Sequence, residues 1–199
     1  MTNNGPPFRA DHVGSLLRPP SLRQAYRDHR NGKATDASLA IAQDDSIREA
    51  IALQEAVGLE SITDGEFRRA SYWSSFVERV DGLDIKDAAF TFRDECGHEQ
   101  AFTAPHVSGP VRRQQAIAVD EFNFVRASTS QTPKTTLPSP PSMHFWRVDQ
   151  GIDKAVYPDA KSYFTDLAAV YRQEIAALAA AGSTYIQLDD VPFAMLCDP

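Results

Sequence analysis

The chain of 199 residues is 42% hydrophobic and 24% charged, an ordinary globular composition that argues against intrinsic disorder. A formal net charge of −7, with lysines and arginines that never form a run, argues against nucleic-acid binding. No apolar run approaches the roughly 20 residues that span a membrane, and MTNNGPPFRADHVG lacks a signal-peptide core, so we expect a cytoplasmic protein.

The first sixty residues predict a tail and two helices. We expect residues 1–9 to be a flexible tail and ADHVGSLLRPP (residues 10–20) to form a short strand and a loop. Residues 21–30 follow two prolines and precede a glycine, which predicts a short helix. A longer helix is predicted for residues 37–57, because a Thr-Asp cap precedes it and a glycine follows it.

The middle of the chain has a mixed pattern. LESITDGE (59–66) predicts a short strand that ends in acids, and residues 68–83 predict a loop that leads into a helix with an aromatic face. Phenylalanines alternate partially with polar residues over residues 86–115, which predicts a hairpin-like excursion. We expect a helix over residues 112–130 and a strand over residues 134–137.

The last third combines a proline-rich segment with a clear helix. PSPPSMHFW (138–146) contains three prolines, which predict a shaped loop without regular structure. The helix that follows is predicted by apolar side chains at helical spacing: Phe164, Leu167, Tyr171, Ile175 and Leu178. Gly182 ends this helix, and STYIQLDD (183–190) predicts a strand.

Two segments share one pattern of helix end, glycine, strand and acids. AVGLESITDGE covers residues 56–66, and AAGSTYIQLDD covers residues 180–190. Helix-to-strand units of this kind build parallel sheets, whose ligands bind at the carboxyl ends of the strands. We therefore expect an α/β fold in which these acids face a binding site, although a doubly wound sheet and a barrel would give similar patterns.

Three stretches carry candidate binding groups. HVGS (12–15) can offer backbone N–H groups and a hydroxyl to an anion, and an ordinary turn explains it equally well. Asp64 and Glu66 form either a common Asp-Gly turn, neutralised at the surface by the next two arginines, or a carboxylate site for an ammonium group. Asp189 and Asp190 end a strand that should be buried, so a metal, a cationic ligand or an arginine is expected beside them.

The remaining candidates are single residues with strong structural alternatives. Trp146, close to His144, can stack on a flat heterocycle, but a tryptophan is more often part of a core. Cys197 can be a thiolate ligand, but a lone cysteine is more often a small buried apolar residue. Cys96 and Cys197 form no CxxC pair, and the five histidines show no HExxH or HxH spacing. The sequence therefore contains no recognisable complete metal site.

Four stretches together resemble a known family. HVGSLLRP, ITDGEFRR, LPSPPSMHFW and IQLDDVPFAMLCDP resemble, in this order, motifs of the cobalamin-independent methionine synthases, and they are most similar to the single-barrel members. The resemblance covers nearly the whole chain. It implies that residues 10–199 form about the first five units of a (β/α)8 TIM barrel, incomplete at the C-terminus. We therefore expect a fragment, a truncated gene product or one piece of a split protein.

The resemblance also implies a reaction and its binding residues. In this family zinc binds and activates the thiol of homocysteine, which takes a methyl group from a 5-methyltetrahydrofolate to give methionine. Val13, Gly14 and Ser15 match the segment that contacts the carboxylate of homocysteine. Glu66 and Asp189 match the two acids that hold its ammonium group.

Other features of the family are matched less well. Trp146 or His144 corresponds to the residue near the pterin, but Gln100-Ala101 stands where the family has a folate-contacting Arg-Cys pair. The zinc ligands of the family lie beyond the equivalent of Pro199, so we expect no metal ligand in this chain. The resemblance leaves open another thiol acceptor with a non-folate donor, a zinc-free decarboxylase branch, or a non-catalytic fragment. The expected partners are small-molecule substrates, and a complementary half of the barrel or a second copy.

Overall fold

The computed structural model describes residues 11–191, which contain both helices and strands. The α-helices in this range are α1 (Pro20–Arg30), α2 (Asp36–Ala56), α3 (Ser74–Glu78), α4 (Val119–Ser128) and α5 (Ala160–Ala180). The strands are β1 (Ser61–Ile62), β2 (Val80–Asp87), β3 (Phe92–Arg93), β4 (Glu99–Gln100), β5 (Thr103–Arg113), β6 (Thr132–Pro138) and β7 (Tyr185–Asp189). None of the helices in residues 11–191 is long and apolar enough to cross a membrane.

Three predicted elements are wrong in type or extent. Residues 11–19 form no strand, because isolated hydrogen bonds replace a ladder there. The helix predicted from residue 112 begins at Val119, since Arg113 still pairs with Val80 in a β-ladder. The proline-rich segment is not irregular but forms 3-10 helices at Pro140–Met143 and Phe145–Gln150. Prolines fit the first turn of such a helix, where no N–H donor is needed.

The predicted repeat of helix, glycine and strand is confirmed. α2 and α5 are followed by left-handed glycines, Gly58 at φ 84° and Gly182 at φ 96°, which is the usual end of a helix. The strands after them belong to one three-stranded sheet of order β1-β6-β7. β1 pairs with β6 in parallel, with Ser61 opposite Thr132.

Strand β7 is present as predicted, but it is not the buried strand that we expected. Its residues are half-buried or exposed, and Leu188 is 46% exposed. Within the described chain β6 is its single strand neighbour, so the other edge of β7 has no ladder partner there. The predictions for the tail at residues 1–9 and for Cys197 lie outside the described residues.

The contacts within the chain divide it into two compact units. The first unit contains the described residues up to Ala70, together with Asp120–Thr135 and Ser183–Tyr185. The second contains Ser71–Val119, Thr136–Gly182 and the described residues from Ile186 onward. Strands β6 and β7 each begin in the first unit and end in the second.

The first unit has a small apolar core made by α1, α2, β1 and α4. Its buried members are Leu22, Ile47, Ala50, Ile51, Ile62, Phe67 and Val125. Helix α2 also places the buried side chain of Gln54 against Thr63. The Gln54 amide accepts the Thr63 N–H and donates to the Thr63 carbonyl, both at 2.9 Å. Because a side chain satisfies these two backbone groups, β1 can end after two residues and the chain can turn.

The second unit contains the predicted hairpin and helix α5. β2 and β5 pair in antiparallel register from Val80 with Arg113 to Asp87 with Thr103, so the hairpin is confirmed and starts earlier than residue 86. Helix α5 packs Tyr171 against Phe76, with ring centroids 4.8 Å apart. The fully buried Glu174 of α5 is an ion-pair partner of Arg113 at 2.8 Å.

Candidate functional site

The turn after β1 has an uncommon backbone. Gly65 and Glu66 are consecutive left-handed residues, with φ of 68° and 58°, and such a conformation costs a non-glycine residue on the order of 1 kcal/mol. Side chains of the same turn hold it in place. The Asp64 carboxylate accepts the Glu66 N–H at 2.9 Å, and the Thr63 hydroxyl accepts the Gly65 N–H at 3.0 Å. As a result the Glu66 side chain, only 3% exposed, is directed inward.

The segment before α1 lies against this turn. The Thr63 hydroxyl donates to the Gly14 carbonyl at 2.8 Å, and the Leu16 N–H donates to the Gly65 carbonyl at 3.1 Å. These bonds align the two segments so that the Ser15 hydroxyl donates to a carboxylate oxygen of Glu66. The structure therefore brings together two of the predicted binding residues, Ser15 and Glu66, which are 51 positions apart in sequence.

The other two residues of the predicted Val-Gly-Ser segment differ in burial. Gly14 is buried and has a φ of 132°, a region that favours glycine. Val13, in contrast, is 74% exposed. The roles that the resemblance implies for these two residues stay predictions.

A buried arginine stands beside Glu66. The Arg69 side chain is 3% exposed and lies 3.5 Å from a Glu66 oxygen and 2.6 Å from a Glu121 oxygen. The prediction of a surface cluster of arginines around these acids is therefore wrong for Arg69. Its neighbour Arg68 instead pairs with Asp44 at 2.7 Å, on the surface of α2. Sequence reasoning missed Glu121, because nothing in the pattern of α4 shows that this acid faces inward.

Asp64 is the third acid of this group. Burial raises the pKa of Asp64 to about 6, the nearby Glu121 carboxylate acts in the same direction, and the Arg69 guanidinium acts in the opposite direction. One oxygen of Asp64 holds the turn, while the other is buried and has no hydrogen-bond partner among residues 11–191. Arg69 stays protonated, because the attraction of Glu121 and Asp64 more than offsets its burial and raises its pKa.

These charges favour a cation. Three carboxylates, those of Asp64, Glu66 and Glu121, lie here with two guanidinium groups, those of Arg69 and of Arg18, which donates to the Glu66 carbonyl. The carboxylates therefore outnumber the guanidinium groups, and the net charge is negative when Asp64 is ionised. Buried negative charge is costly unless a positive group or hydrogen-bond donors compensate it. The cluster is therefore suited to an ammonium group, and the adjoining Ser15 hydroxyl adds a hydrogen-bonding group.

Asp189 and Asp190 lie in the second unit, at the end of β7. The Ser139 hydroxyl donates to the Asp190 carboxylate at 2.8 Å, and the Ser139 N–H donates to the Asp189 carbonyl at 3.0 Å. The Gln187 amide donates to the Asp189 carboxylate at 2.5 Å. Asp189 is half-buried and Asp190 is exposed. The expectation rested on a buried strand, and this premise is wrong, so burial does not require a charged partner beside these acids.

The 3-10 helices after β6 carry the two residues predicted near a pterin. Trp146 packs in an aromatic cluster, with ring centroids 6.0 Å from Phe90 and 5.7 Å from Phe102. His144 packs between Tyr163 and Phe164, at 5.8 and 5.3 Å, and burial lowers its pKa. Such packing is what a core role requires, and contact with a pterin stays a prediction for both residues.

One group of potential metal ligands occurs in the described range. The ligand atoms of Asp94, Cys96 and His98 lie within 4.8 Å of one another, and all three residues are exposed. They belong to the tight turn between β3 and β4, where Asp94 accepts the backbone N–H groups of Cys96 and His98 at 2.9 Å. Three exposed ligands on one turn do not complete the four-coordinate, enclosed set of a structural zinc site.

Comparison with known proteins identifies the family. Residues 8–196 match the family described as cobalamin-independent synthase, catalytic domain. The chain is 33% identical over 192 residues to the uncharacterized protein YxjH of Bacillus subtilis, an alignment that covers 95% of this chain and 49% of that protein. It is 28% identical over 190 residues to the 5-methyltetrahydropteroyltriglutamate–homocysteine methyltransferase of Synechococcus sp., covering 93% and 24% of the two chains.

A solved structure gives the same result for the fold. A Listeria monocytogenes protein described as a candidate vitamin-B12-independent methionine synthase superposes with a TM-score of 0.76 at 32% identity, over 97% of this chain and 55% of that one. The α/β fold is thus similar to that of the methionine synthase catalytic domain. This chain spans about half the length of YxjH and of the Listeria protein. With a family match over residues 8–196, the chain belongs to the cobalamin-independent methionine synthase family.

Proposed function

We propose that this chain supplies the amino-acid-binding half of a methyltransferase. The reaction moves a methyl group from a poly-glutamylated 5-methyltetrahydrofolate to the thiol of homocysteine and gives methionine. The observation that carries the proposal is the contact of the exposed Ser15 hydroxyl with the buried Glu66 carboxylate, in a cluster where carboxylates outnumber guanidinium groups. Membership of the family and the name of the Synechococcus relative support the reaction and its donor.

In the proposed site, one set of groups binds the carboxylate of homocysteine and another set binds its ammonium group. The carboxylate faces the segment of Val13, Gly14 and Ser15, where backbone N–H groups serve as donors. The Ser15 hydroxyl, which donates to Glu66 in this structure, would have to turn from Glu66 to donate to the substrate carboxylate. The ammonium group lies against Glu66, close to the Asp64 oxygen that has no partner among the described residues. From the family resemblance alone, we also propose that Asp189 binds an ammonium group. The nucleophile is the sulfur of the substrate, so we expect no covalent intermediate with the enzyme.

The fold is proposed to be the first part of a (β/α)8 barrel, about five β/α units long, and a cytoplasmic location suits its substrates. Zinc is expected to activate the thiol in this family. The described residues do not supply a fitting ligand set, because Asp94, Cys96 and His98 are three exposed groups on one turn. We propose that the zinc ligands lie outside these 199 residues, and we assign no step to the metal here.

The role of Glu66 is tested by replacing it with glutamine. In the natural gene product, Glu66→Gln removes the charge that holds the ammonium group and should weaken homocysteine binding about 10- to 100-fold, the value of one charge-assisted hydrogen bond. Isothermal titration calorimetry measures this affinity. The matched control is Glu60→Gln, since Glu60 is an exposed glutamate directly before β1. Equal homocysteine affinity in the two folded variants would refute the role of Glu66.

A second candidate function keeps the thiol chemistry and changes the partners. Gln100 and Ala101 stand where the family has its folate-contacting Arg-Cys pair, and Gln100 is exposed on β4. This favours a donor other than folate, and with it another thiol acceptor. Parallel assays with several thiols and methyl donors separate the two functions, and absence of turnover with all of them would favour a non-catalytic role.

A further inference from the structure

A basic cavity lies in the first unit, alongside helix α1. Its volume is about 320 Å³, and five of its seven lining residues are arginines. We call this feature the arginine groove and define it by Arg18, Arg23, Arg27, Arg30 and Arg69. Such a concentration of positive charge is unexpected in a chain whose formal net charge is −7.

Three of these arginines share one face of α1. Arg23, Arg27 and Arg30 follow the i, i+4 and i+7 spacing that places side chains in one row. Arg27 donates to the neutral amide of Gln24, with its Nε at 3.1 Å from the Gln24 oxygen. The side chains of Arg23 and Arg30 make no hydrogen bond or ion pair with another residue among those described. Like charges in such a row repel one another, so an anion between them would stabilise the helix.

The fourth arginine also lacks an acidic partner. Arg18 donates to the backbone carbonyls of Glu66, at 3.1 Å, and of Arg69. Its Nε–H is buried and has no acceptor among residues 11–191. Arg69 differs, because Glu66 and Glu121 neutralise it. Within the described residues, the groove therefore holds four guanidinium groups without a carboxylate partner, and one buried donor without an acceptor.

We infer that the arginine groove binds a multivalent anion, a chain of carboxylates or of phosphates. Guanidinium groups pair with both through two parallel hydrogen bonds. The number of guanidinium groups without a carboxylate partner favours a ligand with more than one charge. Arg23 and Arg30 are separated by seven residues of α-helix, a rise of about 10 Å, so a ligand with anionic groups along its length can pair with both.

Two sources of such an anion differ in their relation to the proposed function. One is the poly-glutamate tail of the methyl donor, and this assignment rests on the proposed function. The other is a free oligophosphate, which is independent of it. In both cases the groove adds a second binding site to the one at Ser15 and Glu66. Arg18 and Arg69 touch both sites, because each contacts a backbone or side-chain atom of Glu66.

The test is a titration of the natural gene product with three probes at two salt concentrations. The probes are γ-linked triglutamate, inorganic tripolyphosphate, and acetate as the monovalent reference. We expect one of the two multivalent anions to bind at least about tenfold more tightly than acetate and to weaken as salt rises. Which of them binds identifies the source.

The decisive variant is Arg23→Gln/Arg30→Gln, which removes two exposed charges from the groove and should leave the fold intact. Its matched control, Lys161→Gln/Arg172→Gln, removes two exposed positive charges from α5. A loss of multivalent binding of about tenfold or more in the first variant alone supports the groove. Equal binding by both variants, or no multivalent binding by the wild type, overturns it. Homocysteine affinity, measured in parallel, reports on the proposed function and is expected to be the same in all three proteins.

Discussion

At the scale of single residues, Asp64 shows how burial changes the chemistry of a common turn. An exposed Asp-Gly turn can form through backbone conformation and backbone hydrogen bonds alone. Here the Asp64 carboxylate is buried beside Glu121, and one of its oxygens has no hydrogen-bond partner in the described chain. The pKa of about 6 means that the acid changes charge in the physiological range. An ammonium group brought next to it would favour the ionised form.

We expect Asp64 to make the stability of the fold depend on pH. The folded chain keeps a proton on Asp64 up to a pKa of about 6, whereas the ordinary pKa of an aspartate is 3.8. The free energy of unfolding should therefore fall as pH rises from about 4 to about 6, by on the order of 2 kcal/mol. Asp64→Asn stays neutral and should lose this dependence, which urea unfolding at pH 4, 5, 6 and 7 measures.

The control for this prediction is Asp149→Asn, because Asp149 is exposed. Its stability relative to the wild type should stay constant over the same pH range. If the difference in unfolding free energy between Asp64→Asn and the wild type is also constant with pH, Asp64 ionises like an ordinary surface carboxylate. The inferred effect of burial and neighbouring charge on Asp64 would then be wrong.

At the scale of elements, the hairpin of β2 and β5 depends on a close backbone approach. The pairing shifts register between Asp81 and Leu83, and Gly82 in this bulge has a φ of 80°. A Cβ atom at Gly82 would lie 2.6 Å from the Pro110 carbonyl oxygen and still closer to that of Gly109. Glycine is required at this position for space as well as for conformation.

Gly82 can be compared with a second glycine of similar φ, and this comparison separates the cost of the backbone conformation from the cost of the steric clash. Gly97 has a φ of 82°, and a Cβ atom added there would meet no other atom within 4 Å among the described residues. Gly97→Ala should therefore cost only the left-handed conformation, about 1–2 kcal/mol. Gly82→Ala should cost at least about 2 kcal/mol more, because backbone atoms cannot move aside as side chains do. Thermal and urea unfolding compare the two variants, and equal losses would show that the bulge relaxes freely.

At the scale of the whole molecule, the described part of the chain carries the proposed binding groups but no complete metal centre. The three exposed residues Asp94, Cys96 and His98 are the potential ligand group found in residues 11–191. The chain spans about half of YxjH, and the zinc-dependent step is proposed to need residues from outside it. This separation of roles gives a simple experiment on metal binding.

We expect the 199-residue chain to bind zinc only weakly, because three exposed ligands leave the ion open to water. Competition with a chromogenic chelator measures the affinity. Cys96→Ser should abolish the weak binding, while the matched variant Cys197→Ser should leave it unchanged. Tight, stoichiometric zinc binding by the wild type, or its loss in Cys197→Ser, would contradict the proposal that the zinc ligands lie elsewhere.

Local signals explain which parts of the fold could be predicted. The long helices have their caps and terminal glycines within a few residues of their ends, and Thr35 indeed accepts the Ser38 N–H at 3.2 Å at the start of α2. The strand at residues 134–137 and the hairpin also follow from local patterns. The helix predicted from residue 112 failed because Arg113 has a ladder partner 33 positions earlier, at Val80.

The order of residues along the chain was enough to predict the long helices α2 and α5, the two glycine-ended helix-to-strand units and the ordered motifs of the family, because short-range backbone preferences and residue identity carry all of these. The burial and pairing of the charged groups at the candidate site were decided by the tertiary structure. Tertiary contacts buried Arg69 between Glu66 and Glu121, left one oxygen of Asp64 without a partner in the described residues, and kept β7 partly exposed. Burial and charge pairing depend on contacts between segments some fifty residues apart, as Arg69 and Glu121 are, and no local pattern specifies such contacts.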